Sequence, residues 1–245
     1  GMPRAIGNSS NPWLVRSLGR CHSVAHVDKE LPDHETAGRQ PSAETYTSTA
    51  FGYERKVVSQ LTDRLKELPF AQLQNRCEVV PRIEQAFAEA LGDTRRPANE
   101  VTLADWSASV AGLYKSAVAG ALWGVQPDPG DLHWRILRVN FDVLALYAKT
   151  VKIADLLYYR QAVGEACQQV KQLVEEEYPL GNEVYRDTTG IYFTFPDVKQ
   201  LPADLKREIH CRIDRIEPEL APRIEVKEAE GETPVQQLKG MLAGA

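Results

Sequence analysis

Two carboxylates and one amide stand where the sequence predicts the ends of strands. Asn140 and Asp142 lie in an apolar run that begins at Trp134, and Asp187 opens a turn at 188–190 between two β-rich runs. Carboxylate oxygens in such places bind Mg²⁺ or face the phosphates of a nucleotide. The same acids have plain structural uses, because Asp142 can cap the next turn and Asp187 is a common hairpin-turn residue. Both interpretations stay open at this point.

The segments after residue 131 would hold these side chains in place. Hydrophobic periodicity predicts the order strand, helix, hairpin, helix, strand, followed by a short helix from Thr233. The predicted segments are 134–146, 151–178, 183–187 with 191–195, 202–216 and 223–227. This order predicts a ferredoxin-like βαββαβ domain, with both helices on one face of an antiparallel sheet. Many unrelated functions use that fold, so it does not by itself assign one.

Three helices are predicted ahead of that domain. Apolar residues recur at three- and four-residue steps over 53–68 and again over 73–91, which is typical of one helix face. Pro81 predicts a kink or a break in the second helix. Thr102 and Asp105 approximate a capping box for the third helix, whose many small residues predict close helix packing.

The chain therefore divides into three predicted regions. Residues 1–52 are rich in turn-forming residues and predict an irregular arm, with one short helix over 12–27. Residues 53–130 form the helical region, and residues 131–245 form the ferredoxin-like domain. The predicted fold class is α+β.

Composition narrows the class of protein. The chain has 245 residues, of which 43% are hydrophobic and 26% charged, as in ordinary globular domains. The formal net charge is -5 and no basic stripe is evident, so binding to nucleic acid would need partners or local patches. The longest apolar runs are too short to span a membrane. Four scattered cysteines without a C-x-x-C pair predict a reduced, cytoplasmic protein.

The second half of the chain is similar to the palm of nucleotidyl cyclases and polymerases. In that family, acids at the end of the first strand and at the hairpin tip converge on two metal ions. Here Asn140 and Asp142 stand where such enzymes carry D-x-D. The residues of 187–191, DTTGI, fall where a GGDEF-type hairpin would lie.

Motifs ahead of the palm narrow the resemblance. The stretch 92–97 reads GDTRRP, residues 105–107 read DWS at a predicted helix start, and residues 177–187 read EYPLGNEVYRD. Together with the palm order, these motifs resemble the large palm-domain subunit of type III CRISPR effector complexes over residues 53–245. The residues that match the family motifs are Asp93, Thr94, Arg95, Pro97, Asp105 and Trp106.

Departures from the family pattern imply a degenerate palm. Asn140 replaces the first acid of the strand pair, and residues 188–190 replace the acid-bearing positions of the hairpin. Trp106 occupies a place where the family often has His. The resemblance leaves Asn140, Asp142 and Asp187 as candidates for binding nucleotide or metal, with Mg²⁺ and ATP as the candidate ligands and no catalytic residue assigned.

The resemblance implies a fragment of such a subunit, because the family's nuclease domain and second palm have no counterpart in this sequence. Its expected role is antiviral defence, mainly scaffolding, with other effector subunits and a guide RNA as partners and no membrane contact. One alternative is an active Mg²⁺-dependent cyclase or polymerase. Another is an unrelated ferredoxin-like regulatory or interaction domain.

Two smaller features suggest further chemistry. Cys21, His22 and His26 form a tight cluster that could contribute to a zinc site, although surface histidines are the ordinary explanation. Tyr158 and Tyr159 could stack on a nucleotide or RNA, or could form the edge of a helix packed on the core.

Overall fold

A computed structural model describes residues 12–25, 45–49, 52–56, 61–67, 75–88, 90, 98–99 and 101–228. Their contacts divide the chain into two compact units. One unit comprises Gly1–Ala25 with Val110–Ala245, and the other comprises His26–Ser109. This division differs from the predicted limits at residues 52 and 130, because the first helix and part of the third predicted helix pack with the second half of the chain.

Helix α1 (Pro12–Val24) agrees with the short helix predicted over 12–27. The indole nitrogen of Trp13 donates a hydrogen bond to the carbonyl oxygen of Pro127 at 2.7 Å. Arg16 forms an exposed ion pair with Asp128 at 3.2 Å. These contacts attach α1 to the turn that precedes the first strand of the larger unit.

The unit His26–Ser109 contains a small sheet with the strand order β2-β1-β3. Its described elements are β1 (Thr45–Thr49), β2 (Gly52–Lys56), α2 (Leu61–Lys66), α3 (Arg76–Ala88), β3 (Ala98–Asn99) and the start of α4 (Leu103–Leu122). Strands β1 and β2 pair antiparallel, and β3 pairs parallel to β1.

The structure corrects two predictions in this unit. Strand β1 lies in the stretch predicted as irregular, and β2 occupies the start of the helix predicted over 53–68. The β-branched and aromatic residues of β1 favour extended backbone, and Gly52 has a φ of 122°, which glycine adopts readily. Helix α3 continues through Pro81 without a break, and a break was one of the two outcomes predicted there.

Four strands of the larger unit form one antiparallel sheet in the order β5-β6-β4-β7. The elements in chain order are β4 (Trp134–Asn140), α5 (Val143–Ala148), α6 (Ile153–Gln172), β5 (Glu183–Arg186), β6 (Gly190–Pro196), α7 (Ala203–Asp214) and β7 (Arg223–Glu228). This mixture of helix and antiparallel sheet confirms the predicted α+β class.

The core of the larger unit lies between one face of this sheet and helices α6 and α7. Alternate residues of β4 and β6 point into it, as the two-residue period of a strand requires. Core side chains include Leu137, Val139, Phe193, Ala166, Val170, Ile209 and Ile213. The second half of α4 contacts the opposite face, where the indole nitrogen of Trp134 donates to the carbonyl oxygen of Leu113 at 2.8 Å.

Strand β4 ends six residues earlier than predicted, because Asp142 starts a helix. The sequence predicted a strand over 134–146, whereas the structure has β4 to Asn140 and then α5. The helix predicted over 151–178 is present as α6, continued by a π-helical turn at Leu173–Glu177. The helix predicted from Thr233 lies outside the described residues. Within the described part of the chain, every helix is too short or too polar to cross a membrane.

Candidate functional site

Asn140, Asp142 and Asp187, the candidate residues from the sequence, form what we call the strand-end cluster. Asn140 is the last residue of β4 and pairs with Gly190, the first residue of β6. The backbone nitrogen of Phe141 donates to the carbonyl oxygen of Thr189 at 2.7 Å. The end of β4 therefore lies beside the β5–β6 turn.

Asn140 is buried on the sheet face opposite α6 and α7. Its side-chain oxygen accepts a hydrogen bond from Arg138 Nε at 2.7 Å, and its amide nitrogen lies 3.5 Å from the hydroxyls of Thr189 and Tyr192. Arg138 also lies over the Tyr192 ring, 5.4 Å from its centroid. A Cβ at Gly190 would overlap the carbonyl oxygen of Val139, so glycine is required there.

Asp142 is exposed and acts as the N-cap of α5. Its Oδ1 accepts a hydrogen bond from the backbone nitrogen of Ala145 at 3.0 Å. An N-cap satisfies one of the free N–H groups in the first turn of a helix. The sequence left open whether Asp142 faces a ligand or caps the next turn, and this Oδ1 contact is the capping role.

Asp187 organises the β5–β6 turn. Its Oδ1 accepts from the backbone nitrogen of Thr189 at 2.7 Å, from the Thr189 hydroxyl at 2.8 Å and from the backbone nitrogen of Gly190 at 2.9 Å. This pattern is an Asx-type turn, in which the side chain replaces a backbone acceptor. The oxygen that makes the turn is therefore already engaged by three donors.

The strand-end cluster does not fit a two-metal centre. Each Mg²⁺ ion needs about six oxygen ligands, several of them from carboxylates, phosphates or water. Here one of the three side chains is an amide, and each carboxylate commits its Oδ1 to backbone donors. Among the described residues, no three His, Cys, Asp or Glu side chains gather in a group that could hold a metal ion.

The motif residues Asp105 and Trp106 lie in the first turn of α4. The Thr102 hydroxyl accepts from the backbone nitrogen of Asp105 at 3.2 Å, and Asp105 Oδ2 accepts from the backbone nitrogen of Thr102 at 2.9 Å. This reciprocal pair confirms the predicted capping box. Trp106 is half-buried. The other motif residues, Asp93, Thr94, Arg95 and Pro97, lie outside the described residues.

The LGN stretch of the EYPLGNEVYRD motif is the docking point of α4. The ammonium group of Lys115 donates to the carbonyl oxygens of Glu175 and Gly181 at 3.1 and 3.3 Å and to Asn182 Oδ1 at 2.5 Å. The Ser116 hydroxyl donates to the carbonyl oxygen of Leu180 at 2.8 Å. We call this contact, formed by Lys115 and Ser116 with Leu180–Asn182, the α4 clamp.

Glycines let the two sides of the α4 clamp approach closely. A Cβ at Gly181 would overlap the carbonyl oxygen of Thr194, and a Cβ at Gly112 would lie 3.0 Å from both the Asn182 Cβ and the Thr194 hydroxyl. The sequence signal for this contact was the set of small residues in α4, which predicted close packing. The roles of Lys115 and Ser116 were not predicted.

Charged residues next to the α4 clamp are paired. Glu183 forms ion pairs with Lys171 at 3.0 Å and with Arg186 at 2.8 Å. Burial raises the pKa of Glu183, but the hydrogen bonds and charges of Arg186 and Lys171 together outweigh burial and lower it. This carboxylate is therefore held ionised by its neighbours and has a structural part in the hairpin.

A groove of about 530 Å³ lies between α6 and α7, and its lining includes Gln168, Gln172, Arg212 and Arg215. Arg212 forms a bidentate pair with Glu177, with both N–O distances under 2.8 Å. The hydrogen bonds from Arg212 lower the pKa of Glu177, and Glu177 in turn raises that of Arg212. Sequence reasoning did not find this groove, because no motif marks it.

Neither of the smaller sequence features forms a ligand site among the described residues. Cys21 is fully buried, and burial raises the pKa of its thiol to about 12, so it is a poor metal ligand or nucleophile. His26 lies outside the described residues. The hydroxyls of Tyr158 and Tyr159 donate to Glu217 at 2.8 Å and to Glu219 at 3.0 Å, which raises the pKa of both tyrosines.

No protein-family model, curated protein or solved structure matches this chain. Its function is therefore inferred from the sequence motifs and from the geometry of the strand-end cluster and the α4 clamp.

Proposed function

We propose that this chain is a CRISPR-associated antiviral protein of the cytoplasm, part of the large subunit of a type III RNA-guided effector complex. In this proposal residues 131–245 are a ferredoxin-like palm that has lost its catalytic acids. Its role is mainly to scaffold the complex, with other effector subunits and the guide RNA as partners. A degenerate nucleotide site remains at the strand-end cluster.

The arrangement of the four-stranded sheet supports the palm. When the four strands of this sheet are numbered 1 to 4 along the chain, their order across the sheet is 4-1-3-2. Every pair of neighbouring strands is antiparallel. Both long helices, α6 and α7, contribute to one core on one face of this sheet. The split βαβ arrangement has this form.

The single observation that favours scaffolding over catalysis is the use of the acids in the strand-end cluster. Asn140 is neutral and bonded to Arg138. Asp142 and Asp187 stabilise a helix start and a turn through their Oδ1 atoms. The active cyclase or polymerase alternative needs carboxylates that converge on shared metal ions, and this donor set is poor for that purpose.

Two of the motifs on which the resemblance rests make structural contacts in this chain. The Asp105 motif is a helix-capping box, and the LGN stretch fixes α4 to the hairpin through Lys115 and Ser116. Motifs that carry such contacts define an architecture more than a reaction. A domain whose recognisable residues hold its parts together is suited to a scaffolding role.

Reconstitution tests the proposed partners. The purified chain is mixed with the remaining subunits of a type III effector complex and a guide RNA, then separated by size exclusion. We expect it to co-migrate with the assembly, and Ser116→Leu, which blocks the α4 clamp, to reduce incorporation. Failure to associate with either the RNA or the subunits would contradict the proposal.

Calorimetric titration with ATP and Mg²⁺ or Mn²⁺, followed by product analysis, tests the degenerate palm. The matched variants are Asp142→Asn and Asp187→Asn, because asparagine keeps the oxygen that accepts the capping and turn hydrogen bonds. We expect saturable ATP binding without turnover. Turnover that both variants abolish would instead establish the active alternative.

A further inference from the structure

The outer side of α6 and the segment just ahead of this helix expose large apolar side chains. Val151 and Ile153 are 95% and 79% exposed, and Leu157, one turn after Ile153, is 54% exposed. The opposite side of the helix, with Ala162 and Ala166, is buried in the core. A contiguous exposed apolar surface of this kind marks an interaction site.

Gly164 lies on the same outer side of α6. It follows Leu157 by seven residues, which is two helical turns. No heavy atom lies within 4 Å of the position that a Cβ would take at Gly164. Glycine weakens an exposed helix, and no contact among the described residues requires it here. A second element that packs closely against α6 would require it.

Two basic side chains beside this surface lack partners within the described part of the chain. The side chains of Arg160 on α6 and Arg215 in the α6–α7 groove have no hydrogen-bond or ion-pair partner among the described residues. Two acids line the same groove: Glu177 is paired with Arg212, and Glu165 accepts a hydrogen bond from the neutral Gln161. The surface therefore fits a segment that combines apolar side chains with carboxylates.

We propose that residues 229–245 of this chain, here called the 229–245 segment, bind along the outer side of α6 in cis. The sequence of this segment has the complementary chemistry, with acids first and then apolar residues at helical spacing. These are Glu230, Glu232, Val235, Leu238 and Leu242. The proposal does not depend on the CRISPR assignment.

The chain is long enough to make this contact. Strand β7 ends at Glu228, which pairs with Arg135 near the start of β4, whereas α5 and α6 follow the other end of that strand. The segment would therefore approach α6 from its C-terminal end. A helix over 233–242 would be about 15 Å long, and each extended residue ahead of it would add about 3.3 Å. Helix α6 is itself about 30 Å long, so the segment could extend along much of it.

An antiparallel register matches the side chains. Val235 and Leu242 are seven residues apart, as are Gly164 and Leu157. With Val235 placed over Gly164, Leu242 lies beside Leu157. Glu230 and Glu232 then precede the helix on the side of the α6–α7 groove, where Arg215 lacks a partner.

Hydrogen exchange of the full-length chain, read by mass spectrometry, tests this contact. We expect the amides of residues 233–242 to exchange at least about tenfold more slowly than in a free peptide of the same sequence. Protection should persist on dilution, because the contact is intramolecular. Absence of protection, or its loss on dilution, would overturn the proposal.

Three variants assign any protection to α6. Leu157→Gln removes an apolar contact, and Gly164→Gln fills the gap with a residue that favours helix, so neither should unfold α6. Both should release the 229–245 segment. The matched control is Leu122→Gln, an exposed leucine at the C-terminal end of α4. Protection that survives both α6 variants, or is lost equally in the control, would refute the assignment.

Discussion

The strand-end cluster and the α4 clamp lie along the same sheet and use polar residues in different ways. The cluster has acids at exposed or half-exposed positions, each of which accepts hydrogen bonds within a few residues along the chain. The clamp has a half-buried lysine that binds segments 60 to 67 residues away. Residue types alone suggested a chemical role for the strand-end cluster. The long-range contacts of the α4 clamp show that tertiary structure depends on the side chains there.

The largest loss of stability should come from a substitution at Gly181, in the α4 clamp. Gly181→Ala places a Cβ against the backbone oxygen of Thr194 in β6, and moving that strand would disturb its pairing with β4. We expect a loss of about 3 kcal/mol in the free energy of unfolding, measured by urea denaturation.

Gly130→Ala is the matched control for that substitution, because the nearest heavy atom, Asp128 Oδ1, would lie 3.6 Å from the new Cβ, an ordinary contact distance. It should leave stability unchanged or raise it by up to about 1 kcal/mol. Equal effects of the two alanine substitutions would show that close approach at the α4 clamp is not needed.

The second prediction concerns Lys115. Lys115→Met keeps the length of the side chain but leaves the carbonyl oxygens of Glu175 and Gly181 and the amide oxygen of Asn182 without this donor. We expect a loss of about 2 kcal/mol, since hydrogen bonds from a charged donor to partly buried acceptors are strong. Lys199→Met, at an exposed position, should change stability by less than about 0.5 kcal/mol.

The strand-end cluster should respond more weakly and should not require charge. Asp142→Ala removes the α5 cap and should cost about 1 kcal/mol, whereas Asp142→Asn should cost only a few tenths. Asp187→Ala and Asp187→Asn should show the same order. Unfolding in the presence and absence of Mg²⁺ provides the check. If Mg²⁺ stabilises the unaltered chain but not the asparagine variants, the acids bind metal and the comparison fails.

Local signals in the sequence were strong enough to predict much of the larger unit. The periodic apolar faces predicted helices α6 and α7, and the turn at 188–190 predicted the β5–β6 hairpin, with small errors at the ends of these elements. The capping box of Thr102 and Asp105 was predicted from two residues and is present. These features depend on interactions within about one or two turns of the chain.

The wrong or missing predictions concern segments whose structure depends on contacts that local sequence patterns do not reveal. The apolar run after Asn140 is compatible with either a strand or a helix. It forms a helix in the structure, where Asp142 is the N-cap. The strands at 45–56 depend on pairing between β1, β2 and β3, which residue spacing did not reveal. The α4 clamp joins residues distant in sequence, so only the small residues of α4 hinted at it.

The smallest predicted effect is a pH dependence at Glu183, on the border of the α4 clamp. Lys171 and Arg186 hold the pKa of Glu183 below its ordinary value of 4.5 in the folded chain. The stabilising contribution is therefore complete above pH 4.5 and is lost as the pH falls through the lowered folded-state pKa. Because this carboxyl group is partly exposed, solvent screening should limit the contribution to about 0.5 kcal/mol.

Glu183→Gln should lower stability at pH 7 and have less effect at about pH 3, measured by urea unfolding at both values. Glu176→Gln, at an exposed neighbouring acid, should have little effect at either pH. A Glu183→Gln effect that is the same at both values would show that hydrogen bonding, and not ion pairing, holds this side of the hairpin.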